Sequence, residues 1–259
     1  GMWASEYADV LRVTPAGRSL FAISAAGCSV AAGRLSFALG LRGPCVAIDT
    51  ACSAGLVACH GAMRALRHAE SEVALAAGVN MILAPLSSLT MAIVGMTSPT
   101  GRSYTFDARA DGFARAEATA ALALIPRPPV SPRETRIHGV ETPPRLCIAG
   151  TSVQQDGKSA SLTAPSGKAQ ASLVNAALSM SGAVPAHFAA VEAHGTGTPL
   201  GDPIEARSLS AAATAAADAQ STTEATPTAT PTSASSSAAS AATQSAPAAA
   251  VPLWRGSGP

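Results

Sequence analysis

The chain has 259 residues, of which 47% are hydrophobic, 3% aromatic and 13% charged, and its formal net charge is +1. The apolar fraction supports a sizeable core built from Ala, Val, Leu and Ile, and the length is that of one or two domains. A net charge near zero with scattered arginines argues against a nucleic-acid partner.

The five cysteines indicate a reducing compartment. Their number is odd and they form no CxxC or Cys/His cluster, so neither a disulfide framework nor a metal site is predicted. The first residues lack the basic and apolar regions of a secretory signal, and we expect an intracellular location in the cytoplasm or a plastid. Residues 73–96 carry no charge, but Asn80, Pro85 and Ser87 interrupt them, so no membrane span is predicted.

Helices and buried strands alternate through the first half of the chain, which predicts a parallel sheet covered on both faces. Residues 96–113 are expected to form an ordered loop near the entrance of the active site. The charges that would pair with one another to hold this loop are Arg102, Asp107, Arg109, Asp111 and Arg115. The predicted elements are helices around 7–11 and over 30–39, a strand over 46–48, a helix from Ser53, and strands over 73–77 and 118–125.

The second half repeats the strand–helix–strand plan. A strand over 146–151, a helix over 167–180 and a strand over 187–193 lead to His194 and a glycine-rich loop. Reactive groups thus follow strands in both halves, at the edge where open α/β sheets bind ligands.

The composition changes abruptly after residue 207. Residues 208–252 are almost entirely Ala, Ser, Thr, Pro and Gln. Such a segment buries too little apolar surface to offset its conformational entropy. We therefore expect a domain over 1–207 and a disordered tail over 208–259, with at most a transient helix over 209–219.

Cys52 is the strongest candidate for a nucleophile. It lies where a predicted strand turns into a helix, so the first backbone N–H groups of that helix have no intrahelical partner. The positive end of the helix dipole lowers the pKa of a thiol placed there. The alternative is an inert, buried cysteine, as most free cysteines are.

Two stretches together resemble the β-ketoacyl synthase, or condensing, domains of modular polyketide and fatty acid synthases. They are residues 49–53 (DTACS) and 192–198 (EAHGTGT), which match the family nearly word for word. The order and spacing of the motifs fit over residues 5–205. Three further stretches agree: 29–37 (SVAAGRLSF), 106–113 (FDARADGF) and 155–159 (QDGKS).

The resemblance implies a thiolase-like α/β fold with stacked α/β/α/β/α layers. It implies that Cys52 accepts an acyl group from the phosphopantetheine of an acyl carrier protein, with no cofactor bound by the chain itself. His194 would stabilise the negative charge that develops as a malonyl-type extender loses carbon dioxide. Thr196 and Thr198 would contact the pantetheine arm. A homodimer would pair through the strand near 45–48. From its residue type alone, His194 is also compatible with a loop histidine that caps carbonyls.

The sequence also departs from the family. Condensing domains carry a second histidine and a lysine downstream of the first histidine, and after Glu205 this sequence contains no histidine. We expect a partial ketosynthase domain in which acylation of Cys52 is retained and decarboxylative condensation is impaired. Two alternatives remain open: a thiolase-like acyltransferase or thioester hydrolase, and an inactive remnant that serves as a dimerisation or docking module.

Overall fold

The computed structural model describes residues 1–3, 6–126, 136–137, 140–141, 146–224 and 249–256. The helices in these ranges are α1 (Glu6–Val13), α2 (Ala22–Ala26), α3 (Cys28–Leu39), α4 (Ala54–Arg67), α5 (Pro85–Ile93), α6 (Gly167–Ser181) and α7 (Gly201–Glu224). The strands are β1 (Ala74–Asn80), β2 (Ala118–Leu124), β3 (Arg136–Ile137), β4 (Val140–Glu141), β5 (Leu146–Gln154) and β6 (Ala249–Gly256).

Helix α4 packs against β1 and is the centre of the first half. Its buried residues, Ala54, Cys59 and Met63, recur at helical spacing and form one face, as expected for an amphipathic helix. Arg64 and Arg67 lie in its last turn, where the helix dipole favours positive charge. The predicted helix from Ser53 is therefore confirmed.

The prediction of a parallel sheet is wrong, because the strand ladders that the structure describes are antiparallel. Strands β1 and β2 pair antiparallel, with Ala74 opposite Leu124. The predicted strand over 46–48 forms no ladder in the described ranges. Met2 lies between this segment and β1: it donates its N–H to Ile48 O at 3.0 Å and forms a parallel bridge with Val79. A single backbone hydrogen bond is too little pairing to define a strand.

Helix α6 packs between β5 and α7 and buries Leu173 and Ala177. Gly150 allows β5 to approach this helix, because a Cβ atom there would lie 2.7 Å from Ala177 O. The predicted helix over 167–180 and the predicted strand over 146–151 are both confirmed.

The predicted strand over 187–193 is wrong. Pro185–His187 form a 3-10 turn, and residues 188–193 are irregular. A strand requires a ladder partner, and in the described part of the chain the partner of β5 is β6, which pairs with it antiparallel.

Two elements lie inside the predicted tail. Helix α7 crosses residue 207 and continues to Glu224, consistent with the high helix propensity of alanine, and β6 occupies 249–256. Residues 225–248 and 257–259 lie outside the described ranges. The division of the chain into a domain over 1–207 and a separate tail over 208–259 stays a prediction. None of the helices that the structure describes has the length and hydropathy needed to cross a bilayer.

A buried ion pair ties α1 to the segment before β2. Arg115 Nη2 lies 2.8 Å from Glu6 Oε1, with side-chain exposures of 10% and 6%. The other Glu6 oxygen accepts the N–H groups of Leu83 and Ala84 at 2.7 and 2.9 Å. Although burial opposes ionisation, the Arg115 guanidinium and these backbone donors lower the pKa of Glu6 to about 2.

Candidate active site

A tight turn presents Cys52. Residues Ala51–Ser53 form a 3-10 turn that runs directly into α4. The Ala51 N–H bonds Asp49 Oδ1 at 3.0 Å, and the Ser53 hydroxyl donates to Thr50 O at 2.9 Å. Ala51 has a φ of 53°, which a residue with a Cβ adopts at a cost of about 1–2 kcal/mol. The strained turn places the thiol at the N-terminus of the helix.

The structure brings the Cys52 thiol and the His194 imidazole together. The two side chains come from opposite halves of the chain, and they lie near enough for His194 to be the main cause of a lowered pKa at Cys52 and for Cys52 to raise the pKa of His194. Both side chains belong to solvent-exposed residues. The arrangement favours a thiolate beside an imidazolium.

The backbone of His194 is held from outside its own loop. Glu205 in α7 accepts the His194 N–H at 2.6 Å and the Gly195 N–H at 2.8 Å. The Thr105 hydroxyl donates to Gly195 O at 2.6 Å. Glycine is required at 195, because its φ is 54° and a Cβ atom would lie 2.5 Å from the Thr105 methyl group.

Thr196 and Thr198 lie on the loop that follows His194. Their hydroxyl oxygens are 3.1 Å apart, and Thr198 Oγ1 accepts the N–H of Gly201 at 3.1 Å. Both residues are half-buried. The hydroxyl pair thus lies at the N-terminus of α7, on the loop that carries His194.

Asp202 also belongs to the site, although neither its residue type nor its position in the sequence predicted this role. It is 4% exposed, and its Oδ1 accepts the N–H groups of Gly197 and Thr198 at 3.0 and 3.2 Å. Its Oδ2 accepts the N–H of Phe106 at 2.6 Å. The sequence feature that could have identified it is an acidic residue in the first turn of a helix, followed one turn later by Glu205.

The loop over 96–113 borders the site, in agreement with its predicted location. The Gly112 N–H donates to Gly197 O at 2.9 Å, which joins the two loops directly. Arg109 pairs with Asp107 inside the loop at 2.8 Å, as predicted. The expectation that Arg115 also pairs with the charges of this loop is wrong, because its partner is Glu6 in α1.

The family models decide the membership of this chain. The model of the beta-ketoacyl synthase N-terminal domain matches residues 1–128, and that of the C-terminal domain matches residues 146–249. The chain belongs to the beta-ketoacyl synthase family. The resemblance seen in the motifs is confirmed.

Similar proteins include polyketide synthases and ketosynthase structures. A phenolphthiocerol/phthiocerol polyketide synthase of Mycobacterium tuberculosis is 44% identical over 212 residues, which are 81% of this chain and 9% of that protein. A mycocerosic acid synthase-like polyketide synthase of Mycolicibacterium smegmatis is 40% identical over 210 residues, 81% of this chain and 10% of that protein. This chain therefore spans only about a tenth of these relatives.

Solved ketosynthases share the fold. The oxazolomycin ketosynthase domain of Streptomyces albus aligns with a TM-score of 0.67 and 36% identity over 73% of this chain and 32% of that chain. The module 6 ketosynthase of the bacillaene synthase of Bacillus subtilis aligns with a TM-score of 0.65 and 37% identity over 73% of this chain and 33% of that chain. The predicted thiolase-like α/β fold is confirmed, over about a third of a solved ketosynthase chain.

Proposed function

We propose that this chain performs the acyl-transfer chemistry of a polyketide synthase ketosynthase, with Cys52 as the nucleophile. The observation that carries the proposal is the placement of the Cys52 thiol at the N-terminus of α4 beside His194, which lowers the pKa of Cys52. The substrate class is an acyl thioester on the phosphopantetheine arm of an acyl carrier protein. The arm belongs to that partner, and the chain itself needs no cofactor.

In the first step the Cys52 thiolate attacks the thioester carbonyl. A carbon–sulfur bond to Cys52 forms, the bond to pantetheine breaks, and the pantetheine thiolate takes a proton from the His194 imidazolium. The backbone N–H of Cys52 is one donor for the transient oxyanion. Because the pKa of Cys52 is lowered, the attacking thiolate is available below the pH at which an ordinary thiol ionises.

In the second step, which we expect to be impaired in this chain, a malonyl-type extender loses carbon dioxide. Its enolate carbon attacks the acyl-Cys52 carbonyl, the new carbon–carbon bond forms, and the bond to Cys52 breaks to regenerate the thiolate. The β-ketoacyl product stays on the carrier. His194, now neutral, donates its N–H to the extender thioester oxygen and stabilises the enolate. Thr196 and Thr198 are the hydroxyls proposed to contact the pantetheine arm.

Thioester hydrolysis is a second candidate, favoured by the exposure of both Cys52 and His194 to water. In that case the acyl group is released as a free acid without consumption of extender.

A docking or dimerisation role is a third candidate, supported by the exposed segment near 45–48, in which Val46 is 68% exposed. All five cysteines are free thiols, which suits the proposed reducing compartment.

The experiment is intact-mass measurement and peptide mapping after incubation with an acyl thioester. Cys52→Ala should abolish the adduct, and Cys45→Ala, which removes another exposed cysteine, should leave it in place. Equal labelling of all five cysteines would refute the nucleophile assignment. A malonyl thioester added to the acylated chain then distinguishes the outcomes: a β-ketoacyl product supports condensation, and a free acid supports hydrolysis.

A further inference from the structure

A hydrogen bond between two side chains joins the helix of the nucleophile to the other half of the chain. His60 lies in the middle of α4, and its Nδ1 is 2.7 Å from the hydroxyl oxygen of Thr151 on β5. Thr151 is 3% exposed and His60 is half-buried, so the bond lies within the packed contact between α4 and β5. The proposed acyl-transfer chemistry uses neither residue.

The Thr151 hydroxyl has one proton and two acceptors within reach. His60 Nδ1 lies 2.7 Å from it and the Met63 sulfur, also on α4, lies 3.7 Å from it. A thioether is a weak acceptor, so a neutral His60 with its proton on Nε2 takes the hydroxyl proton at Nδ1. In a protonated His60 both ring nitrogens are donors. The bond must then reverse its direction, and the hydroxyl proton is left with only the sulfur.

A protonated His60 would also place a positive charge where its neighbours disfavour it. Burial opposes the charge and Arg64 and Arg67 repel it, and these effects lower the pKa of His60. Strands β1 and β2, which pack against α4, carry no ionisable side chain.

The remaining ionisable residues around α4 include one carboxylate. This group is Asp49, which already accepts the N–H of Ala51 at the start of the helix. The full set on the described elements and on the segment before the turn is Cys59 on α4, Cys52 in the turn, Cys45 and Asp49 before it, Cys147 on β5, and Arg255 on β6 at the register position opposite Cys147. None of the described strands around α4 therefore supplies a negative partner for His60.

We propose that His60 and Thr151 form a pH-sensitive latch between the two halves of the chain. Neutral His60 accepts the Thr151 hydroxyl and holds α4 on β5, whereas protonated His60 brings a positive charge into that contact and weakens it. Acidification thereby loosens the attachment of the Cys52 helix to the half that carries His194. The latch goes beyond the proposed function, because no acyl group takes part in it, and a failure of acyl transfer would leave it intact.

The latch has a defined pH range. A histidine with a lowered pKa stabilises the fold fully above its unfolded pKa of about 6.5, and this contribution is lost as the pH falls through the folded pKa. Glu6 acts at lower pH, because its pKa is about 2. His194 acts in the opposite sense, because its pKa is raised. Both of these contributions are shared by the parent chain and a His60 variant, so a comparison of the two isolates His60.

The test is urea denaturation at two pH values, about one unit above and about one unit below the ordinary pKa of histidine. In His60→Asn the side-chain amide can accept the Thr151 hydroxyl but does not titrate. The parent chain should lose more stability at the lower pH than His60→Asn, by up to about tenfold in the unfolding equilibrium constant for each pH unit. His68→Asn, at an exposed histidine after α4, should lose as much as the parent.

A double-mutant cycle at the higher pH tests the bond itself. Thr151→Val keeps the shape of the side chain and removes the hydroxyl, so it should destabilise the parent chain more than it destabilises His60→Ala. Additive effects would show that the two side chains do not interact, and would overturn the proposal.

The active site serves as an internal control. The pH midpoint of Cys52 alkylation by iodoacetamide, with peptide mapping to separate Cys52 from the other thiols, should be the same in folded His60→Asn as in the parent chain. A shifted midpoint would place the effect at the active site and would count against the latch.

Equal losses of stability in the parent chain and in His60→Asn would overturn the proposal. If circular dichroism shows that His60→Asn does not fold, the decision passes to an NMR titration of His60 in the parent chain. A midpoint below about 6.5 supports the latch, and a midpoint at or above that value refutes it.

Discussion

The two halves of the candidate site are built in different ways. The turn at Cys52 is held by its immediate neighbours, since Asp49 bonds the N–H of Ala51 and Ser53 bonds Thr50. The loop at His194 is held from outside, by Glu205 in α7 and by Thr105, which is 90 positions away in the sequence. The nucleophile is thus a local structure, whereas its partner depends on tertiary packing.

This difference separates two properties that are often treated as one. Presentation of the thiol depends on the turn and on α4, but its ionisation depends on whether the distant loop is in place. Substitutions that disturb the first half should therefore change stability and leave the ionisation of Cys52 intact in the folded protein. Substitutions around α7 should change the ionisation.

The largest expected effect concerns stability in the first half. Arg115→Met leaves the Glu6 carboxylate buried without its cation, which should lower the free energy of unfolding by about 3–5 kcal/mol. Urea denaturation measures the loss. Where the variant is still folded, the pH midpoint of Cys52 alkylation should equal that of the parent, and a shifted midpoint would break the proposed separation.

The same ion pair sets a pH dependence. The pKa of Glu6 is lowered to about 2, so its stabilising contribution is fully present above the ordinary pKa of a glutamate and is lost as the pH falls toward 2. Arg115→Met should therefore show a weaker loss of stability on acidification than the parent chain over that range.

A smaller effect on stability, with an effect on ionisation, is expected at Asp202. In Asp202→Asn one of the two oxygens is replaced by an NH2 group, so the N–H of Phe106 or those of Gly197 and Thr198 face a donor. The loss should be about 1–3 kcal/mol. The alkylation midpoint of Cys52 should also rise, which Arg115→Met should not cause. Equal midpoints in the two variants would contradict the comparison.

The pairing of the Cys52 thiol with His194 is tested by His194→Ala. Its removal takes away the main cause of the lowered pKa at Cys52, so the thiolate fraction at neutral pH should fall, by about tenfold for each unit of pKa increase. Iodoacetamide kinetics measure this, and His68→Ala, at an exposed histidine after α4, is the matched control. Unchanged kinetics in His194→Ala would show that the turn alone activates the thiol.

The smallest expected effect lies within the turn. Ala51→Gly relieves a left-handed residue and should stabilise the fold by up to about 1 kcal/mol. Ala69→Gly relieves the same conformation, with a φ of 56°, after α4 and away from the site. Thermal unfolding should show similar gains in both. In both variants the pH midpoint of Cys52 alkylation should equal that of the parent chain. Only Ala51→Gly should change the alkylation rate above that midpoint, because only there does the loosened residue precede the thiol.

The sequence predicted the parts of the site that are local. The helix from Ser53 and the turn at Cys52 follow from small residues and turn geometry within a few positions, and both are present. The predicted strands over 46–48 and 187–193 were wrong, because a strand needs a ladder partner and neither segment has one in the described part of the chain. Apolar composition indicates that a segment is extended but not what lies beside it.

The residues that hold the His194 loop were out of reach for the same reason. Asp202 and Glu205 resemble ordinary acidic residues in the first turns of a helix, where such side chains complement the dipole. Only the folded chain shows that their oxygens are used by the loop N–H groups of His194 and Gly197. The family motif pointed to His194, but the motif does not state which residues hold its backbone.

The carboxylates of Asp202 and Glu205, which hold the His194 loop, both lie in the first two turns of α7, and this placement affects how the chain tolerates substitution. Asp202 and Glu205 precede Ser208, after which the helix becomes rich in alanine. Mutations that accumulate downstream leave both carboxylates in register, provided that the opening turns stay helical. We therefore expect substitutions at exposed positions of α7 beyond Ser208 to leave the His194 loop in place, whereas substitutions at Asp202 or Glu205 should disturb it.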